Sequence, residues 1–147
     1  IDFGLSLKLN EIEQRKLVFP LGFAPPELLL NRLHLINSSS DLFALGILIW
    51  RLLTSELPLT HRNPSIFTNL QLTHPIPSHS KISKEIQKVL DKACYKHSFK
   101  IPPNKMNLED VDTALKEAMS NRYQKIEDLT VALNSAIEKK KSWFNPT

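Results

Sequence analysis

The stretch Ile1-Asp2-Phe3-Gly4-Leu5-Ser6 sets a carboxylate beside an aromatic ring and a glycine. Asp2 is an acid that could hold a metal, and Gly4 supplies the backbone freedom a sharp turn needs. Standing alone, Asp-Phe-Gly is a weak tripeptide, and Asp2 reads as a solvated turn carboxylate. Glu27 follows two prolines and Asp41 follows three serines. Asp41 reads most simply as a helix-capping or first-turn acid. Arg122 sits in Asn121-Arg122-Tyr123-Gln124, far along the chain from Glu27, and no local rule pairs the two. His34, His61, His74, His79 and His97 lack the spacing of a metal site. Cys94-x-x-His97 offers two donors where structural zinc usually has four.

Helices must position most of these groups. Residues 38–55, SSSDLFALGILIWRLLTS, carry the strongest helical signal, with about 40–54 as the central helix. The serines offer an N-cap and Asp41 falls in the first turn. Apolar residues cover nearly every face, which predicts a helix buried all round. Gly46 inside it costs about 1 kcal/mol against Ala and predicts close packing against another backbone. Pro25 and Pro26 predict an extended turn before Glu27. Residues 56–80 read as proline-broken loop with one short helix. In 82–96 a stripe of Ile82, Ile86, Val89, Leu90 and Ala93 predicts a helix. Residues 99–107 form a linker. Leu108, Val111, Leu115 and Ala118 mark a helix over 108–119 with Asn107 as its cap. Ile126, Leu129, Leu133 and Ile137 mark a last one over about 125–141.

Composition sets bounds. A chain of 147 residues with 41% hydrophobic and 23% charged residues is ordinary soluble globular material, one domain or part of one. The run Lys139-Lys140-Lys141 lies opposite Glu127 and Asp128 on one helix and complements its dipole. It calls for no nucleic acid and no membrane surface. The most apolar stretch, 42–50, is far below the roughly 18 residues that span a bilayer. Cys94 is the lone cysteine, which excludes an internal disulfide and fits a reducing, cytoplasmic setting.

Taken in order, "DFGLS", "APPE", "SSSDLFALGILIWRLLTSELPL" and "NRYQ" change the weight of each piece. Over residues 1 to about 137 the chain resembles the C-terminal lobe of a eukaryotic-type protein kinase, in a bacterial-style serine/threonine form. The resemblance implies a mainly α fold, the helical C-lobe of a domain that is α+β when complete. It implies that 2–27 is the activation segment. Asp2 would chelate the magnesium that bridges the ATP phosphates, Phe3 would set the orientation of that acid, and Gly4 would permit the turn. Glu27 and Arg122 match the partners of a buried ion pair tying the activation segment to the helical subdomain. Asp41 matches the carboxylate that accepts backbone N–H bonds from the catalytic loop.

The departures also count. The family's Gly-Thr pair ahead of the "PE" falls on Phe19 and Pro20, and proline can donate nothing. Between Ser6 and Ser38 there is no Ser, Thr or Tyr, so ordering of the activation loop by phosphorylation has no acceptor but Ser6. About 22 residues, 98–119, intervene before the arginine motif and read as an insertion carrying an extra helix.

The resemblance also implies what this sequence lacks: the glycine-rich loop, the N-lobe lysine and its glutamate, and the catalytic loop with its Asp base and Asn. The sequence is therefore expected to be cut inside a kinase domain and to carry no catalytic residue of its own. ATP and Mg2+ would belong to the complete domain, with no tight binding to this part. The expected partners are the missing N-lobe, from the same or a separate chain, and a protein substrate. The complete protein would phosphorylate Ser or Thr hydroxyls. The alternative is a pseudokinase or interaction module built on a kinase C-lobe. Exposed apolar surface is expected where the N-lobe and catalytic loop pack, notably around Phe3.

Overall fold

A computed structural model describes residues 20–144, with side-chain surroundings through Lys139. Among the described residues there are six α-helices and no strand: α1 (Pro26–Leu29), α2 (Ser38–Thr54), α3 (Pro64–Thr73), α4 (Lys84–Ala93), α5 (Leu108–Ser120) and α6 (Ile126–Phe144). Short 3-10 turns occupy Leu21–Phe23, Leu33–Leu35 and Pro103–Lys105. The mainly helical architecture expected from the sequence holds over this span.

Helix α4 is the hub, packed against α2 on one side and α6 on the other. Its stripe Ile86, Val89, Leu90 and Ala93 is buried as its spacing predicts, and Ile82, just ahead of the helix, is buried with it. Full burial of an Ile, Val or Leu side chain contributes about 1.5–3 kcal/mol, so this stripe anchors the main core. Phe43, Ile47 and Trp50 of α2 enter that core, as do Leu129 and Ala136 of α6. A Cβ on Gly46 would lie 2.6 Å from Cys94 Sγ and 3.0 Å from Ala93 Cβ. The close approach predicted for Gly46 is therefore made to side-chain atoms at the end of α4.

Several expectations need correction. The N-cap of α2 is Asn37, not a serine. Its side chain accepts the Ser39 N–H at 2.9 Å, while Ser40 Oγ accepts the Asn37 N–H at 3.4 Å, a reciprocal box. Helix α2 is not buried all round: Leu48 and Leu53 are exposed and Leu52 is 74% exposed. The backbone is extended at Ala24 and Pro25 as expected, but the prolines do not block a helix: Pro26 opens α1 at its first position, where a missing N–H is harmless. Leu108, Ile126 and Ile137 are exposed. The seam of α6 keeps the expected Leu129 and Leu133 and uses Ala132 and Ala136 in place of Ile126 and Ile137. The last helix also runs to Phe144, beyond the expected 141. The caps of α3 and α5 are Asn63 and Asn107, the second as predicted.

Candidate functional site

Two groups predicted from the resemblance meet in the core. Pro26 fixes the first turn of α1, which puts Glu27 on the inner side at zero exposure. Arg122 follows directly on the C-cap of α5, Asn121. Its Nη1 donates to Glu27 Oε1 at 2.8 Å and its Nη2 to Oε2 at 3.2 Å, a bidentate pair with both side chains fully buried. Ser40 Oγ donates to Glu27 Oε1 at 2.7 Å, and Arg122 Nε donates to the Tyr95 carbonyl at 2.9 Å. The guanidinium carbon lies 4.9 Å from the centroid of the Phe43 ring. One cluster thus joins α1, the start of α2, the end of α4 and the turn after α5. Burial of two charges is costly, and these added bonds are what allow it.

A carboxylate sealed from solvent and held by a guanidinium is not available as a base or a metal ligand. The cluster fixes geometry. Lys96 extends it: buried, with Nζ donating to the His74 carbonyl at 2.7 Å and lying 5.7 Å from the Phe43 ring centroid. Burial lowers its pKa to about 8; the neighbouring Cys94 opposes that shift and Arg122 adds to it. Burial likewise pushes the Cys94 thiol up to about 12.

A second cluster clamps the chain beyond α1. Arg32 donates through Nε and Nη2 to the two oxygens of Asp112 on α5, at 2.6 and 2.9 Å, and His34 Nε2 lies 2.7 Å from Asp112 Oδ2. The Arg32 hydrogen bonds hold the Asp112 carboxyl down to about 2. Leu35, Val111, Leu115 and Met119 pack beside it, with Leu30, Phe99 and Met106 around them.

The remaining predicted positions stand apart. Asp41 is exposed on the first turn of α2 and its side chain makes no hydrogen bond or ion pair with the described residues. Asp2, Phe3 and Gly4 lie outside the described residues. Among the described residues no group of three or more His, Cys, Asp or Glu side chains could hold a metal ion. No helix among them is long and apolar enough to cross a membrane. The sequence reading missed Arg32, Asp112, Lys96 and Ser40 as partners, and took His34 only as a failed metal ligand. No periodic signal links Arg32 to a side chain 80 residues away.

A family model of the protein kinase domain matches residues 1–108. The chain belongs to the protein kinase domain family. The match takes in α1 through α4 and ends as α5 begins. Platelet-derived growth factor receptor beta of Homo sapiens is 26% identical over 138 residues, covering 86% of this chain. A "probable serine/threonine-protein kinase" of Dictyostelium discoideum is 32% identical over 116 residues, covering 71% of this chain. Mitogen-activated protein kinase kinase kinase 10 of Mus musculus is 33% identical over 82 residues, covering 52%. The chain spans 12% of the length of the first two and 8% of the third.

Proposed function

We propose that this chain is the C-terminal part of a protein kinase domain that, when complete, transfers the ATP γ-phosphoryl group to Ser or Thr hydroxyls of proteins. This part alone would not catalyse the transfer. The observation that carries the reading is the sealed Glu27–Arg122 pair, joining two positions that the kinase resemblance had matched and no local rule had paired. The exposed face of α2 supports it. Asp41, Leu48 and Leu52 fall on one side at helical spacing, Leu52 is 74% exposed, and the Asp41 side chain heads the row without a partner among the described residues. Such a row fits a helix whose covering layer, the catalytic loop and what precedes it, belongs to the rest of the domain. Asp2 would then hold magnesium on the ATP phosphates, with Phe3 and Gly4 setting its orientation. Residues 98–119 are an insertion whose helix, α5, holds the chain just beyond α1, at Arg32 and His34, through Asp112. The proposed setting is cytoplasmic.

A second reading, a pseudokinase or interaction module, draws on Pro20. It stands where serine/threonine kinases carry a threonine, and it offers no donor. The test is phosphate transfer from γ-labelled ATP to myelin basic protein by the full-length protein with magnesium. Transfer that Asp2→Asn lowers by at least about 100-fold supports the kinase reading. No transfer leaves the second, robust magnesium-dependent transfer rules the second out, and an Asp2→Asn protein as active as a transferring parent sinks the first, with its magnesium role for Asp2.

A further inference from the structure

Gln71 is the one glutamine of α3 and is fully buried, while Ser65 and Asn69 of the same helix face solvent. Its Nε2 donates two hydrogen bonds across the core, to the Gly22 carbonyl at 3.2 Å and to the Ala24 carbonyl at 3.0 Å. Neither carbonyl has another partner among the described residues. Its Oε1 is buried with no hydrogen-bond partner among the described residues. A methionine would fill the same space without an orphaned oxygen, so packing alone does not account for an amide here. The donors do. The segment they hold is short of other ties. Pro20 and Pro25 have no N–H, and its internal bonds are Phe23 N–H to the Pro20 carbonyl at 3.0 Å and Ala24 N–H to the Leu21 carbonyl at 3.2 Å. Gly22 lies under Leu57 and Phe67, where an added Cβ would meet Leu57 Cδ1 at 2.7 Å. The two amide bonds thus bracket Phe23, which stays half-buried with the Arg51 guanidinium 5.8 Å from its ring centroid.

We infer that Gln71 is a positioning residue for protein-substrate engagement, its buried amide fixing the backbone of residues 22–24 and so the ledge Pro20–Ala24. The inference rests on the kinase reading for one point, that this end of the activation segment meets the substrate. In a chain whose Phe19-Pro20 cannot make the family's threonine contact, the staple comes from α3 instead. Gln71 acts through the backbone and touches no reacting atom.

The test uses Gln71→Met and Gln71→Glu in the full-length protein, both close in size and both without the amide donors. Hydrogen exchange followed by mass spectrometry reads the staple directly. The amides of Phe23 and Ala24 should exchange at least about 10-fold faster in Gln71→Met, with those of α2 and α4 unchanged. With myelin basic protein as acceptor, its KM should rise at least about 5-fold while the KM for ATP and kcat hold. Unchanged exchange at residues 23–24 overturns the inference, as does faster exchange everywhere. Faster local exchange with an unmoved acceptor KM overturns its substrate half. If the parent protein transfers no phosphate, the kinase reading falls and takes the substrate half with it, while the exchange result still decides the staple. Should Gln71→Glu fail to fold, Gln71→Met alone carries both readouts.

Discussion

Replacing Arg122 with methionine tests the cluster on which the fold and its reading both depend. The substitution keeps an apolar stem of similar reach and removes every bond of the guanidinium. Glu27 would be left as a carboxylate at zero exposure, with the Ser40 hydroxyl as its remaining donor. Breaking a buried pair on one side costs about 3–5 kcal/mol. The Tyr95 carbonyl also loses the Arg122 Nε donor, adding about 1 kcal/mol. Domains of this kind hold about 5–15 kcal/mol in all, so a third or more of the stability is at stake. In a urea titration with an m-value of about 2 kcal/mol/M, the midpoint should fall by about 2–3 M. The double variant Glu27→Met/Arg122→Met removes both charges and should cost less than Arg122→Met alone, since no unpaired charge stays in the core. A loss below about 1 kcal/mol for Arg122→Met, or single costs that simply add, would refute the reasoning.

Four further outcomes follow from the structure. The Asp112 carboxyl, held down to about 2 by Arg32, lies below its ordinary 3.8; its contribution is present above about pH 4 and fades as pH falls toward 2, by no more than about 1 kcal/mol after screening. Acid titration of stability should therefore be shallower over that range in Asp112→Asn than in the parent. Gly46→Ala should destabilise by about 1–3 kcal/mol despite a better helix former, because the new Cβ meets Cys94 Sγ at 2.6 Å; adding Cys94→Ala should recover part of it in thermal denaturation. The buried Cys94 thiol, with its pKa near 12, should react with an aromatic disulfide reagent at pH 8 at least about 100-fold more slowly in the folded protein than in urea. Leu52→Asp should destabilise the full-length protein by about 2–4 kcal/mol if the rest of the domain covers α2; a change within about 0.5 kcal/mol, normal for an open surface, would reject that covering.

Much of this was legible in the sequence, and the reasons differ by element. The apolar run of α2, the stripe of α4 and the Asn107 cap are local patterns, and local patterns survive folding. The Glu27–Arg122 pair was legible only through the motif order, since charge and spacing say nothing about contacts across the whole core. The α6 seam was half legible: Leu129 and Leu133 pack as expected, while Ile126 and Ile137 outweigh Ala132 and Ala136 in hydrophobicity and yet lie outside it. The extended approach through Pro25 was legible, but the start of α1 at Pro26 was not, because a proline that blocks a helix interior also serves as a helix start. Asp112, Lys96 and Gln71 left no local signal, since each is polar on a helix or loop and gains its role from a partner brought in by tertiary packing.

The native protein's mass and N-terminal peptides, read from its source cells, test the central claim most directly. The account calls for a chain well above 16.8 kDa, with peptides ahead of Asp2 that carry an Asp base and a downstream Asn. A native chain beginning at Ile1, with no partner chain supplying those residues, would contradict it.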